Sequence, residues 1–376
     1  RGQYALQVLS STSIYNSYIL IYMTEIKHRI GIIGAGVIAD FHAQALQAMQ
    51  GVELVAAFAR NKDKADSFSQ NYGCSGYSDL DEFLMHPGMD VVTIGSVSGV
   101  HLEHTSAAAK AGKHIICEKP LEVNTSRIDE MIRICEENSV MLSGIFPRRF
   151  NDSTHIFKQA IATGRLGKVV LCDTEIKWWR TQEYYDSGEW RGTWSLDGGG
   201  ALMNQSIHTI DLMLYLMGDV KSVSASGGLE AHEAIEVEDV AVALVEFESG
   251  ARGVIQASTA CYSNTGLPAS IHICGDKGSI MMVDDKFSIW DLKESEFGDD
   301  EILEKYGLES SKTGAGAADP KAIDFMWHQR NFENALNALG SNEKPEIDGK
   351  EGRRAVELIC AIYESIKQDG KKITLK

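Results

Sequence analysis

The feature that most constrains this chain is a glycine turn set between an apolar run and a helical pattern. The segment "IIGAGVIADFH" has the spacing G-x-G-x-x-A, with Gly34 first and Ala39 last, directly after the strand-like run 28–34. The first glycine permits a tight turn, the second lets a pyrophosphate approach the backbone, and the small third residue lets helix and strand pack closely. A helix N-terminus also offers N–H groups to phosphate. The pattern favours a dinucleotide site over a purely structural turn, and the predicted contacts are Gly34, Gly36, Val37 and Ile38.

The fold class follows from how the extended and helical runs alternate. Strand-like runs lie at 28–34, 52–59, 90–96, 113–117 and 140–146, with helical patterns between them. This alternation is typical of a parallel sheet covered by helices on both faces. After about Phe146 the extended segments lengthen and compact glycine turns join them, which favours antiparallel pairing. We therefore expect an α/β protein with an N-terminal Rossmann domain and a C-terminal α+β domain whose sheet is mainly antiparallel.

Three segments follow from this division. Residues 1–23 are expected to be an N-terminal extension, 24–146 the NAD(P)-binding Rossmann domain, and 147–376 the second domain. Two helical regions near the end of the chain, 322–340 and 350–368, are expected to pack back toward the first domain. The acidic segment 293–318 has little periodicity and is expected to be a surface loop.

Composition limits the classes of partner. The 376 residues carry a formal net charge of -17, so no overall positive field attracts a nucleic-acid backbone. Seven scattered cysteines without a C-x-x-C pair favour a reducing, cytoplasmic location. The apolar run 18–23 is too short to span a bilayer, so no membrane association is expected. No His, Cys and Asp cluster has ligand spacing along the sequence, so no metal is predicted.

The residues after the second strand bear on the choice between NAD and NADP. An Asp or Glu at this position usually binds the ribose of NAD, but here the sequence is Ala59-Arg60-Asn61. Arg60 is available to bind a 2'-phosphate, which favours NADP slightly over NAD. The alternative is a solvated arginine beside a permissive ribose site. Ser96, at the end of a later strand, is also expected to pass the cofactor.

Lys119 is the first candidate for proton transfer. It belongs to "CEKP", which ends a parallel strand at the edge where ligands bind in open α/β sheets. A cationic nicotinamide nearby would lower the pKa of the lysine and prepare it to exchange a proton with a hydroxyl. The alternative is a lysine in a surface salt bridge. Glu118, its neighbour, is expected to lie at the cofactor.

A second candidate pair is Asn204 and His208 in "DGGGALMNQSIHTID". A spacing of four on a helix places both side chains on one face. An amide hydrogen-bonds but exchanges no proton in the ordinary pH range, so Asn204 cannot act as a base. A histidine that only packs within an apolar helix is the alternative for His208.

Taken in order, these motifs resemble the Gfo/Idh/MocA family of oxidoreductases. The resemblance covers nearly everything after Met23 and is carried by the glycine turn, "CEKP", "WRGTW" at 190–194, the segment 197–213 and "DGKEGRRAVELICAIYESI" at 348–366. It implies hydride transfer between a sugar or polyol carbon and NAD(P), with Lys119 as the acid/base or orienting group. It also implies that residues 147–376 carry a large open sheet, bind substrate and form homodimers or homotetramers through that sheet. The family usually has aspartate where this chain has Asn204, so the resemblance implies that proton transfer falls on Lys119 or His208 and that Asn204 binds a substrate hydroxyl. Relatives resembling UDP-N-acetylglucosaminuronate 3-dehydrogenases also carry asparagine there.

The resemblance adds further site residues. It implies that His101, Trp190 and Arg191 lie by the cofactor. The aromatic loop 177–200 would shape the substrate mouth, because flat rings match sugar faces and arginines bind oxygen atoms. The residues expected to contact substrate are Asn204, Arg180, Tyr184, Tyr185 and Trp194. The same composition also suits a subunit interface.

Two other functions remain open at this point. A non-catalytic NAD(P)-binding regulator of this fold would have no need of both Lys119 and His208. A glycosidase that oxidises its substrate transiently would release sugar without net reduction of the cofactor.

Overall fold

The first half of the chain forms a six-stranded parallel sheet. The computed structural model describes residues 27–308 and 325–375, so the predicted extension 1–23 lies outside the described residues. The strands are β1 His28–Ile33, β2 Val52–Phe58, β3 Ser75–Tyr77, β4 Val91–Ile94, β5 His114–Cys117 and β6 Leu142–Gly144. Their order is β3-β2-β1-β4-β5-β6, and every pair is parallel. This is the doubly wound order of a Rossmann domain. The helices are α1 Val37–Gln47, α2 Lys62–Tyr72, α3 Leu80–Leu84, α4 His101–Lys110 and α5 Thr125–Glu137.

The strand order determines where a ligand can bind. The chain leaves β1 toward β2 on one side and returns to β4 on the other, so a crevice opens at the carboxyl ends of β1 and β4. Gly34 follows β1, Gly95 follows β4 and Glu118 follows β5. The glycine turn and the lysine turn therefore meet at one edge of the sheet.

The second half is built on an eight-stranded sheet. Its strands are β7 Val169–Lys177, β8 Val220–Gly228, β9 Val240–Phe247, β10 Arg252–Ser258, β11 Ser270–Gly275, β12 Gly278–Val283, β13 Lys286–Leu292 and β14 Ile373–Thr374. Their order is β13-β12-β11-β7-β10-β9-β8-β14. β7 and β10 pair parallel, and the other neighbours pair antiparallel. The predicted fold class is confirmed.

One face of this large sheet is covered and the other is open. Strand β9 alternates, with Val245 and Phe247 buried while Val242 and Leu244 are exposed. The covered face packs against helices α8 Ile207–Met217 and α11 Gly349–Lys367. The remaining described helices are α6 Asp152–Ala162, α7 Gln182–Asp186, α9 Asp299–Tyr306 and α10 Met326–Ser341.

Helix α10 completes the first domain from far along the chain. Its Phe332 and Leu336 share a buried apolar core with Ala39 and Ala43 of α1. Asn331 fastens the same junction, because its Oδ1 accepts from the Phe146 N–H at 2.9 Å and its Nδ2 donates to the Gly144 carbonyl at 3.2 Å.

Two elements differ from the sequence prediction. The short strand β3 was not expected, because three residues carry too little pattern to be recognised. Helix α9 lies within the segment predicted as a loop, where acidic residues in its first turn suit the positive end of a helix dipole. Residues 309–318 of that predicted loop lie outside the described residues. Among the helices of the described ranges, none has both the length and the apolar character needed to cross a bilayer.

Candidate active site

A cleft of about 1120 Å³ opens at the carboxyl edge of the parallel sheet. Its walls come from the glycine turn after β1, the lysine turn after β5, and residues 178–208 of the second half. His328 of helix α10 adds to the lining. Five cationic side chains and two acidic ones line the cleft, although the whole chain has a net charge of -17. The cleft is thus the part of an acidic protein that suits an anionic ligand.

The glycine turn fits a dinucleotide. Gly34 has φ 117°, and a Cβ there would lie 2.7 Å from the Gly95 carbonyl oxygen. A Cβ on Gly36 would meet nothing within 4 Å, so this position faces open space where a pyrophosphate can approach. Gly36 is also the N-cap of α1 and has no side chain to cap the helix, which leaves the N–H groups of the first turn to a ligand. Ala39 is fully buried, as close packing of helix and strand requires.

Four more of the predicted cofactor contacts line the cleft. Val37, Ile38 and Arg60 line it near the glycine turn, and Ser96 follows β4. Asn61 and Lys64 also line this end and were not singled out in the sequence. Asn61 uses its side chain to cap α2 by accepting from the Lys64 N–H at 3.0 Å. His104, another unpredicted lining residue, is hydrogen-bonded through Nδ1 to the Ser96 hydroxyl at 2.9 Å.

Lys119 reaches across the cleft to the second half of the chain. Its Nζ donates to the main-chain oxygen of Asn204 at 3.1 Å. Burial lowers the pKa of Lys119, and the charge of Arg191 acts in the same direction, whereas the carboxylates of Glu118 and Asp197 oppose the change. A lowered pKa makes the neutral amine of Lys119, the form that accepts a proton, more accessible than in a free lysine.

Glu118 is held by two histidines below the lysine turn. Its Oε1 lies 3.0 Å from His42 Nε2 and 3.7 Å from His328 Nε2, and its Oε2 accepts from the Lys119 N–H. Burial alone would raise the pKa of Glu118, but the hydrogen bond and charge of His42, helped by His328, hold it at about 2. Glu118 is therefore an anion that fixes the backbone of the lysine turn.

Folding brings His42, Glu118 and His328 within metal-ligand reach of one another, although the sequence shows no ligand spacing. Their ligand atoms lie within 4.8 Å of each other and all three residues are buried. His42 already uses Nε2 on Glu118 and Nδ1 on the Thr93 hydroxyl at 3.0 Å. Hydrogen bonding accounts for this arrangement, so a metal is not needed to explain it.

Asn204 belongs to a π-helix, not to the α-helix that the spacing predicted. The π-helix spans Ala201–Ser206, and α8 begins after it. Glu238 holds its start, because one carboxylate oxygen accepts from the Gly200 N–H at 3.0 Å and the other from the Leu202 N–H at 2.8 Å. Such wide turns often occur at functional sites. Asn204 and His208 both line the cleft despite the change of helical phase.

His208 faces Lys119 from α8. Burial lowers the pKa of His208 well below its usual value, and the charge of Lys119 lowers it further. The ring packs edge-to-face on Phe146, 6.3 Å between centroids. Among the described residues, no partner lies within hydrogen-bonding range of the buried Nδ1. The lowered pKa favours the neutral imidazole, which can accept a hydrogen bond.

The aromatic loop contributes four predicted residues to the cleft: Arg180, Tyr184, Trp190 and Arg191. The Arg191 guanidinium stacks on two of these rings, 4.3 Å from the Tyr184 centroid and 4.4 Å from the Trp190 centroid. Its Nη1 also donates to the Tyr184 hydroxyl at 2.7 Å. Arg180 Nη2 donates to Gln205 Oε1 at 2.9 Å. Stacking and hydrogen bonds together give this wall a fixed shape.

Three predicted residues lie away from the cleft lining. Tyr185 is buried, with its hydroxyl 2.8 Å from the Thr259 hydroxyl. Trp194 is 40% exposed and packs edge-on against Tyr363. His101 is buried behind the wall, where Nδ1 lies 3.0 Å from the Pro120 oxygen and Nε2 lies 3.1 Å from the Ser96 oxygen. The direction in which a loop or helix start points its side chains cannot be read from residue type, which is why these positions differ from the prediction.

Comparisons with known proteins agree with this architecture. Residues 28–146 match the family described as "Oxidoreductase family, NAD-binding Rossmann fold", and residues 155–281 match the GFO/IDH/MocA C-terminal domain. The chain is 29% identical over 346 residues to the myo-inositol 2-dehydrogenase of Thermotoga maritima, which covers 90% of this chain and 96% of that protein.

Two similar crystal structures are of WlbA dehydrogenases in complex with NADH and UDP-GlcNAcA. The enzyme from Bordetella pertussis is 31% identical with a TM-score of 0.82, covering 94% of this chain and 99% of that chain. The enzyme from Chromobacterium violaceum is 30% identical with a TM-score of 0.83, covering 94% and 97%. This chain belongs to the GFO/IDH/MocA family and is an NAD-binding oxidoreductase.

Proposed function

We propose that this enzyme oxidises a secondary hydroxyl of a sugar derivative, or reduces the matching ketone, with Lys119, His208 and Asn204 at the reacting carbon. The observation that carries the proposal is the convergence of these residues in the cleft that begins at the glycine turn, with Lys119 Nζ 3.1 Å from the Asn204 oxygen. A bound nicotinamide would supply the hydride acceptor or donor. Asn204 orients the hydroxyl, and Lys119 or the neutral His208 accepts its proton.

A Lys119→Ala variant tests the proton-transfer role. We expect turnover to fall by about 10²–10⁴-fold, the range of a lost general base, while nicotinamide binding stays near the wild-type value. Lys62→Ala is the matched control, because Lys62 is an exposed lysine that forms an ion pair with Asp66, one turn along α2. Turnover retained in Lys119→Ala would refute the role.

We propose an anionic sugar derivative as the substrate. Two relatives at 30% and 31% identity were crystallised with UDP-GlcNAcA, and Arg180 and Arg191 supply positive charge at one wall of this cleft. The test is a panel of nucleotide sugars, inositols and aldoses followed by nicotinamide absorbance, with UDP-GlcNAcA first. Hydrolysis of aryl glycosides with catalytic cofactor would instead indicate the glycosidase reaction, and tight cofactor binding without any turnover would indicate a regulator.

We also propose that the adenosine end of the cleft accepts NADP in preference to NAD. No carboxylate follows β2, and Arg60 and Lys64 both line this end. Arg60→Ala should lower kcat/KM for NADP more than for NAD. An enzyme that prefers NAD, with the same preference in Arg60→Ala, would contradict this proposal.

The open face of the large sheet is proposed as the subunit interface. Leu244 is 63% exposed and Val242 45% exposed on adjacent outward positions of β9. Leu244→Glu should convert a dimer or tetramer to monomers in light scattering, because it would place a charge in an apolar contact. Leu303→Glu on α9, where Leu303 is 40% exposed, is the matched control. A monomeric wild-type protein would contradict the proposal.

A further inference from the structure

Asp197 is a buried carboxylate that forms no ion pair within the described residues. It precedes the three glycines and is 2% exposed. One oxygen accepts from the Gly192 N–H at 3.0 Å, and the other accepts from the Asn204 amide. Across residues 27–308 and 325–375, no Lys, Arg or His nitrogen forms a salt bridge with it. Burying an unpaired charge is costly, so its position calls for a functional explanation.

The Asn204 amide is the middle of a one-way chain of hydrogen bonds. Arg180 donates to Gln205 Oε1 at 2.9 Å, and Gln205 Nε2 donates to Asn204 Oδ1 at 3.1 Å. Asn204 Nδ2 then donates to Asp197. A guanidinium can only donate and a carboxylate can only accept, so the two ends of the chain define which way both amides point. Each bond in such a chain polarises the next one.

This orientation determines what Asn204 can offer a substrate. One of its two N–H bonds is used on Asp197, so the other N–H is available to the cleft. Asn204 therefore acts as a donor to a substrate oxygen. Lys119 is tied to the same residue through the Asn204 main-chain oxygen. A change at Asp197 thus reaches the two residues assigned to the hydroxyl without contacting the substrate.

We propose that Asp197 is a positioning residue, which fixes the Asn204 amide as a hydrogen-bond donor and supplies a negative charge behind Lys119. The proposal rests on the dehydrogenase function proposed above. Asp197 does not line the cleft, so its effect passes through Asn204 and through its electric field.

The charge of Asp197 has a measurable consequence at Lys119. It favours the ammonium form, and thereby raises the pKa of Lys119 against the lowering caused by burial. The other groups that act on this lysine or are acted on by it are Glu118, Arg191, His208 and His328. Removing the negative charge of Asp197 should shift the ionisation of Lys119 to lower pH.

The test uses Asp197→Asn, with Asp186→Asn as the matched control on an exposed aspartate of the same loop. We expect kcat to fall about tenfold or more in Asp197→Asn, and the Lys119 limb of the pH profile to move by about one unit to lower pH. Cofactor affinity should stay within about twofold. A kcat and a pH limb equal to those of Asp186→Asn would overturn the proposal.

A double variant separates charge from folding. Asp197→Asn combined with Asn204→Asp reverses the bond between the two side chains, and Asn at 197 can still accept from the Gly192 N–H. Gln205 can still donate to Asp at 204. If Asp197→Asn alone fails to fold, the double variant still decides when it is compared with Asn204→Asp: a Lys119 limb at lower pH in the double variant than in Asn204→Asp supports the role of the charge, and equal limbs overturn it.

The ionisation of Lys119 can be measured without a substrate. The rate of amine acylation at Lys119, followed against pH by mass spectrometry of its peptide, reports the fraction of neutral amine in wild type and variants. A shift in this titration supports the Asp197 proposal even if no sugar is turned over, in which case only the proposed function fails. An unshifted titration in folded Asp197→Asn overturns the Asp197 proposal even if the enzyme is an active dehydrogenase.

Discussion

Gly200→Ala should disable the site without affecting the cofactor half. A Cβ on Gly200 would lie 1.9 Å from the Glu238 main-chain oxygen and 2.9 Å from the nearest side-chain atom, and both distances are too short for an ordinary contact. Ordinary contact needs roughly 3.5 Å, so the backbone must move by about 1.6 Å. Gly200 immediately precedes the π-helix that carries Asn204. A shift of the backbone at Gly200 therefore moves Asn204 as well.

The expected loss follows from that displacement. A misplacement of about 1 Å at a reacting centre can cost about 10²-fold, so we expect kcat to fall by about that factor, with overpacking costing about 1–3 kcal/mol of stability. The assays are nicotinamide absorbance for turnover, fluorescence titration for cofactor binding, and urea unfolding for stability.

Gly340→Ala is the control for this experiment. Gly340 lies in helix α10, and a Cβ there would meet nothing within 4 Å, so alanine should be neutral or slightly stabilising. Wild-type kcat in Gly200→Ala, with the fold intact, would refute the reasoning that the close approach at Gly200 positions Asn204.

Two further predictions concern buried charges. Arg149 donates hydrogen bonds at 2.8 and 2.6 Å to the buried Asp211 carboxylate, and Arg149→Ala removes them. The free energy of unfolding, measured in urea, should fall by about 3–5 kcal/mol, whereas Arg133→Ala at an exposed arginine should lower it by less than about 0.5 kcal/mol. Similar losses in the two variants would contradict this prediction. Burial raises the pKa of Glu238 from 4.5 to about 7. The stabilisation of the fold by the protonated carboxyl group is therefore complete below pH 4.5 and is lost as the pH rises to about 7. Glu238→Gln should be less stable overall, but its free energy of unfolding should not decline between pH 4.5 and about 7. Parallel curves of stability against pH for the variant and the wild type would disprove this prediction.

The sequence was informative wherever the backbone alone determines position. Gly34, Lys119 and Ser96 each follow a parallel strand, and the carboxyl ends of such strands meet at one edge, so their joint appearance in the cleft could be predicted. His208 could be predicted only with the help of the family resemblance, because a lone histidine in an apolar helix otherwise favours a packing role.

The rest of the site depends on contacts that no local pattern records. Glu238, which lies just before β9, accepts a hydrogen bond from the residue just before the π-helix. His328 contacts Glu118 although the two residues are 210 positions apart in the chain. Gln205 is not among the predicted site residues, because two adjacent amide side chains form no recognisable spacing pattern. It nevertheless orients Asn204 by donating a hydrogen bond to its side chain. Tyr185 and Trp194 share the composition of Tyr184 and Trp190, and only the course of the loop decides which rings face the cleft.

The core shared by α1 and α10 affects the order in which this protein can mature during synthesis. When the residues up to 146 have left the ribosome, the parallel strands are present, but Phe332 and Leu336, which cover Ala39 and Ala43, are not. His328, part of the cofactor cleft, is also still missing. The nascent Rossmann segment therefore holds an uncovered apolar surface until α10 is made, and a messenger truncated before α10 would yield a product prone to aggregation and without a finished nucleotide site.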